Sequence, residues 1–273
     1  MEESQYGAEN VVCQDCHMTE GITEFEANPG RAGSGAPKRD HISSHDIVGG
    51  NAFIPVMFGA DNVAEMAVER LQRAATVEVS APEIAAAGEE IDLEVSITNS
   101  GAGHYIPTGV SEIRQMWVEV NVTDADGNLI YSAGNLDDQG NIEDAKLIYN
   151  NVLADSEGNP TESFWLAESV LEDNRIAPQE TVTEEHSFTV PDSVAYPLTV
   201  ETKLNYRSAS QEIIDHLLGE DTEVPVVIMN DMSSTVFDPA TPADERTTEP
   251  TPGFGILATS MSLVLMMYLI KRK

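Results

Sequence analysis

Positive charge is scarce in this chain: 14 Lys and Arg stand against 47 Asp and Glu, a formal net charge of −33. Nucleic acid is excluded as a partner, because a polyanion would be repelled. Such a surface holds water and counterions and stays soluble at high ionic strength, so a salt-rich habitat and an acidic cell surface both suit it. Cysteine is scarcer still, with two residues. At 273 residues and 41% hydrophobic composition the chain builds a real core, in one large or two modest domains, without a disulfide staple. Catalytic signatures are missing: there is no nucleophile elbow, phosphate loop or HExxH. The opening MEESQYGAENVV has neither a basic start nor an apolar stretch, so it is no secretory signal. For an exported protein the expectation is a signal already removed, or a chain that is the C-terminal part of a longer protein.

Long apolar runs are also rare. One uncharged, mostly apolar run covers residues 254–270 and closes on Lys271, Arg272 and Lys273. Its length is at the short end of the range for a membrane-spanning helix. The basic end would stay on the cytoplasmic side, placing everything upstream outside the cell. A buried core helix is the alternative. The preceding DPATPADERTTEPTP, residues 238–252, is rich in Pro, Thr and acidic residues and reads as an extended spacer. Spacer, Pro252-Gly253-Phe254, apolar run and basic end together resemble the PGF-CTERM sorting signal of archaeal surface proteins. That resemblance implies an archaeosortase that removes the apolar segment and joins the new C-terminus to a membrane lipid, much as a GPI signal vanishes from its product.

What the chain does contain is VVCQDCHM, residues 11–18, which holds both cysteines in one CxxCH. A c-type heme is attached by two cysteines that reach its two vinyl groups, and the adjacent histidine lies under the iron as proximal ligand. Cys13, Cys16 and His17 meet these requirements. Three other uses remain open. Structural zinc wants four ligands, and no second CxxC is present. A thioredoxin-like pair wants a βαβ context that this region lacks. A plain disulfide is possible outside the cell.

A six-coordinate heme needs a distal ligand, and the chain has six histidines. In RDHISSHDIVGGNAFIP, His41 and His45 follow the motif in a glycine-containing loop able to fold back over a heme. His45 is the first choice and His41 the second. His104 sits in NSGAGHYIPTG, among small residues that permit a sharp turn, and suits either a metal ligand or a histidine satisfied by backbone groups. His186 lies in an alternating run and His216 after an acidic stretch, and both read as surface residues. Met57 is a further distal option, one that would raise the heme potential.

Residues 59–75 carry Val63, Met66, Ala67 and Leu71 at helical spacing, which predicts one amphipathic helix. From Thr76 the period changes to two. Ile91, Leu93, Val95 and Ile97 alternate with polar residues, as do Val118, Val120 and Val122, with Asp126-Gly127-Asn128 as a hairpin turn. Further runs in ETVTEEHSFTVP and LTVETKLNYR complete the pattern of a mainly β protein with an immunoglobulin-like antiparallel β-sandwich. Residues 134–175 are less regular and read as a long insertion. DADGN lacks the downstream glutamate of a calcium loop and reads as a turn. Glu184-Glu185 reads as solvation of a strand face.

In order, SQYGAENVVCQDCHM, SHDIVGGNAFIP, GAGHYIPTGVSEIRQMWVEV, DADGNLIYSAG, IAPQET and LNYRSASQ resemble the C-terminal part of an extracytoplasmic multiheme c-type cytochrome family, over roughly residues 4 to 210. The resemblance implies CxxCH hemes preceding a β-sandwich, a distal ligand at His45 in the GGN-like loop, and His104 facing a heme. This chain departs from the family in having one CxxCH. The resulting division is a heme-binding segment (1–58), a connecting helix (59–75), a β-sandwich (76–237), a spacer (238–251) and a sorting signal with a transmembrane segment (252–273). The expected function is electron transfer through at least one covalent heme c at the cell surface, beside redox protein partners or other heme-bearing chains. The alternatives are a piece of a multiheme oxidoreductase acting on small nitrogen or sulfur compounds, and a surface structural or adhesion protein.

Overall fold

The computed structural model describes residues 6, 11–18, 29–43, 45, 47–161, 163–219, 222–246 and 251–252. The apolar run 254–270, its basic end and the Gly253-Phe254 part of the sorting tripeptide lie outside them. Among the described residues no helix is long and apolar enough to cross a membrane.

The N-terminal part is loop-rich. It holds the short helix Cys13–His17, a hairpin of β1 (Gly30–Arg31) and β2 (Lys38–Arg39), the short helix Phe53–Met57 and the long helix Asp61–Ala74. The long helix buries Ala64, Ala67, Arg70 and Leu71; of the expected stripe Ala67 and Leu71 are buried, while Val63 and Met66 pack half-buried against the core.

Strands dominate from there: β3 (Thr76–Ser80), β4 (Glu90–Thr98), β5 (Gln115–Thr123), β6 (Leu129–Ala133), β7 (Ile148–Tyr149), β8 (Asn151–Ala154), β9 (Pro160–Thr161), β10 (Ser169–Asp173), β11 (Thr181–Thr189), β12 (Leu198–Arg207), β13 (Val227–Val236) and β14 (Thr251–Pro252). One sheet runs β11-β4-β3. A larger one runs β14-β13-β12-β5-β6, with β7 also on β5, and the insertion forms a third, β10-β8-β9. Named strand pairs are antiparallel throughout, so the fold is the mainly β, antiparallel one that the period-two pattern predicts.

The first two sheets share one core. Ile91, Leu93, Val95 and Ile97 of β4 meet Val118, Val120 and Val122 of β5 and Leu198, Val200 and Leu204 of β12, all buried. Each such side chain contributes about 1.5–3 kcal/mol on leaving water. β5 buries Trp117 as well, on its other face, because the insertion covers it: Trp117 Nε1 donates to the Gly134 carbonyl at 2.8 Å.

Two surface assignments are corrected here. Glu184 and His186 are buried, at 6% and 0% exposure, because the phase of β11 turns Glu184, His186 and Phe188 inward, beside Val95, Leu93 and Ile91 of β4. Alternation reveals two faces, but an inward stripe carrying Glu and His resembles the wet one. The pair is joined to the other sheet. Tyr149 Oη donates to Glu184 Oε1 at 2.8 Å, Tyr131 Oη lies 3.0 Å from His186 Nδ1, and Glu184 Oε2 lies 3.3 Å from His186 Nε2. Burial, then the neighbouring Glu184 carboxylate, push the Tyr149 phenol far above its usual range. Tyr149→Phe removes a buried donor and leaves a carboxylate oxygen unmet, so it is expected to cost about 1–3 kcal/mol in urea unfolding followed by circular dichroism.

Candidate functional site

The CxxCH is a short helix, and residues three and four apart on a helix share a face, so Cys13, Cys16 and His17 line the same side. Its first turn is tied by the Val12 amide donating to Asp15 Oδ2 at 2.8 Å. Cys13 is exposed, Cys16 is half-buried, and no disulfide joins them. Burial, and next the Asp15 charge, hold the Cys16 thiol above its ordinary pKa, with Arg70 opposing. Arg70 comes from the long helix, is 8% exposed, and donates through Nε and Nη2 to the Cys16 carbonyl at 3.3 and 3.2 Å. A buried guanidinium needs such partners, and here it clamps the motif to the body of the protein.

His17 is held by the segment that follows β2. Its Nδ1 lies 2.6 Å from the Val48 carbonyl, and the Val48 amide donates back to the His17 carbonyl at 3.0 Å. The loop from which His45 was expected therefore reaches the site through a backbone carbonyl. His45 is exposed and His41 half-buried, and neither lines the cleft. Met57 is also outside it, 48% exposed at the end of its helix.

His104 arrives from the other side. Its ring centre is 6.2 Å from that of His17, with the ring planes 15° apart. Asn99, fully buried, organises the loop: its amide donates to the carbonyls of His104 at 2.9 Å and Ile176 at 3.0 Å, and its Oδ1 accepts from Ala102 N at 3.2 Å. Gly101 lets the loop lie against the end of the long helix. Its amide donates to the Ala74 carbonyl at 3.0 Å, and a Cβ there would fall 1.8 Å from the Arg73 carbonyl oxygen. Tyr6 Oη donates to the Gly101 carbonyl at 3.0 Å.

The tautomers follow from these contacts. His104 Nδ1 lies 2.8 Å from the Tyr105 carbonyl, and a carbonyl only accepts, so in both histidines Nδ1 carries a proton and the neutral imidazole has its lone pair on Nε2. This is the arrangement of metal-ligating imidazoles, oriented by a hydrogen bond from the other nitrogen. Two imidazoles facing each other through one metal, with bonds of about 2.0–2.1 Å, have ring centres roughly 6 Å apart. The observed spacing is of that size.

Between them lies a cleft of about 1020 Å³ including its open mouth, with Cys13, Cys16 and His17 on one wall and the 101–108 loop on the other. Leu71, Met116, Tyr206 and Met229 make its floor apolar. Sequence reasoning did not find Arg70, Val48, Asn99 or Gly101. The run of small residues before His104 was the available signal for the last two; a contributing backbone carbonyl leaves none.

No family model matches the chain, and no curated protein is similar to it. Among solved structures, a penta-heme cytochrome c552 from Thermochromatium tepidum is similar in fold, at 20% identity and a TM-score of 0.52, over 85% of this chain and 50% of that one. The chain thus spans half the length of that protein. A CARDB domain from Pyrococcus furiosus aligns with 59% of this chain and 86% of its own, at 14% identity and a TM-score of 0.26, which is too low to compare folds.

Proposed function

We propose that this chain is an extracytoplasmic c-type cytochrome that holds one heme in the cleft between His17 and His104 and passes electrons through it. The observation that carries this is the pair of imidazoles 6.2 Å apart, each with Nδ1 tied to a carbonyl. Cys13 and Cys16 would attach the group, each S–H adding across a vinyl double bond with no change in overall oxidation state. His17 would be the proximal ligand and His104 the distal one. When bound, a heme supplies one-electron ferrous–ferric chemistry at a potential set by its axial ligands. Two histidine ligands leave no open coordination position for a substrate, which favours an electron carrier over the oxidoreductase alternative. Arg70 fixes the CxxCH backbone, Val48 fixes the His17 tautomer, and the apolar floor excludes water.

Fold likeness to half of a penta-heme cytochrome supports a place beside other heme-bearing chains or segments. The division into heme segment, connecting helix and β-sandwich belongs to the same reading. So do a cell-surface location and a PGF-CTERM-type anchor of archaeal kind in residues 252–273.

The test is a pyridine hemochrome spectrum of the purified chain together with heme staining after denaturing electrophoresis. A covalently bound c-type heme is expected in the wild type, with complete loss of the stained band in C13S/C16S. A wild-type chain without covalent heme sinks the reading and favours a structural role.

A further inference from the structure

Scarce positive charge makes its placement informative. In the β1–β2 hairpin Arg31 stands directly opposite Lys38, next to Arg39, and all three are exposed. Like charges facing each other across an antiparallel pair repel. Among the described residues no carboxylate pairs with any of them, whereas Lys203, Arg175 and Arg246 are paired with Glu119, Asp173 and Glu83. The hairpin is no loose tail. Arg31 Nη1 donates across the loop to the Ala36 carbonyl, Ala36 N donates to Gly33 O at 3.1 Å, and Gly30 lies so close to Ile42 that a Cβ would meet its Cδ1 at 2.9 Å.

The outer face of the β11-β4-β3 sheet has the opposite character. Glu78, Glu90, Asp92, Glu94 and Glu185 are exposed there, and Glu94 stands directly opposite Glu185. Among the described residues none of them pairs with a Lys or Arg. Asp92 accepts from Ser187 Oγ at 2.6 Å, which leaves its charge in place. Each patch is therefore destabilised by its own like-charge pair and complementary to the other. Both are exposed, so they do not meet within one copy.

We infer that the cationic hairpin of one copy docks on the acidic outer sheet face of a second copy. The two surfaces differ, so the contact is head-to-tail, and its repetition gives a closed ring or an open row of subunits. Ionic strength gates it. Copies of charge −33 repel at a distance in low salt, but a Debye length of about 8 Å near 0.15 M removes that repulsion while side chains in contact still attract. Association accordingly strengthens from low to moderate salt and weakens again in molar salt. An acidic partner protein fits the hairpin alone, and it leaves the sheet face without a role. Three basic residues would hold such an acidic chain poorly on an anionic membrane.

Sedimentation velocity of the full chain over a concentration series, at roughly 0.01, 0.15 and 1 M NaCl, tests this. The wild type is expected to associate most at the middle salt, and R31E/K38E/R39E and E78K/E94K/E185K are each expected to sediment as monomers. An equimolar mixture of the two variants restores association, because reversed hairpin then meets reversed sheet, which misfolding could not produce. A wild type monomeric at every salt, a mixture that stays monomeric, or a monomer whose hairpin binds anionic vesicles or an acidic protein instead overturns the inference.

Discussion

His104→Ala is expected to keep its heme and change its colour. In the proposed reading Cys13 and Cys16 would still attach the group and His17 would still ligate it, but the imidazole opposite, 6.2 Å away in the wild type, is gone. The ferric protein should convert from low-spin to high-spin by absorption and electron paramagnetic resonance. The ferrous protein should bind carbon monoxide stoichiometrically, where the wild type binds none. His104→Met restores six-coordination and raises the midpoint potential, since a thioether favours the ferrous state relative to a second imidazole. His45→Ala and His41→Ala should leave the spectrum unchanged, because neither side chain lines the cleft. If His104→Ala stays low-spin while His45→Ala turns high-spin, His104 is not the ligand and the loop after β2 must move to reach the iron.

Gly101→Ala is expected to be the most damaging single-methyl change in the site. The added Cβ would lie 1.8 Å from the Arg73 carbonyl oxygen and 2.9 Å from its carbon, and helix backbone cannot swing aside as a side chain does. The 99–104 loop must lift, straining the Gly101–Ala74 hydrogen bond and the contact from Tyr6. Overpacking of this kind costs about 1–3 kcal/mol, at times more, read as a lower midpoint in denaturant. Because His104 rides on the loop, the high-spin fraction should rise with it. Gly49→Ala, also on the cleft wall but with nothing within 4 Å of its Cβ, is the control expected to change neither. A Gly101→Ala protein with wild-type stability and spectrum would mean that the loop does not depend on this close approach.

The strands were legible because their signal is local. Ile91, Leu93, Val95 and Ile97 declare a half-buried strand within nine residues, and β4 is that strand. The same reading failed at Glu184 and His186, where the inward stripe is polar and only the partners across the core, Tyr131 and Tyr149, explain it. The long helix was likewise readable from Val63, Met66, Ala67 and Leu71, but the buried Arg70 was not, since its partner is a carbonyl in a different segment.

The contiguous chemistry was legible from the chain alone: Cys13, Cys16 and His17 are neighbours in one CxxCH, and the period-two runs mark the strands Glu90–Thr98, Gln115–Thr123, Thr181–Thr189 and Leu198–Arg207. Only the tertiary structure decided which histidine stands opposite. His45 is nearer to the motif along the chain, but chain proximity fixes a maximum distance, not an orientation. His104 reaches His17 because Asn99 and Gly101 fasten its loop to the end of the helix that also clamps Cys16, and Val48, not His45, is what the nearer loop contributes. Those contacts join residues far apart in the chain, and no local pattern of side chains encodes them.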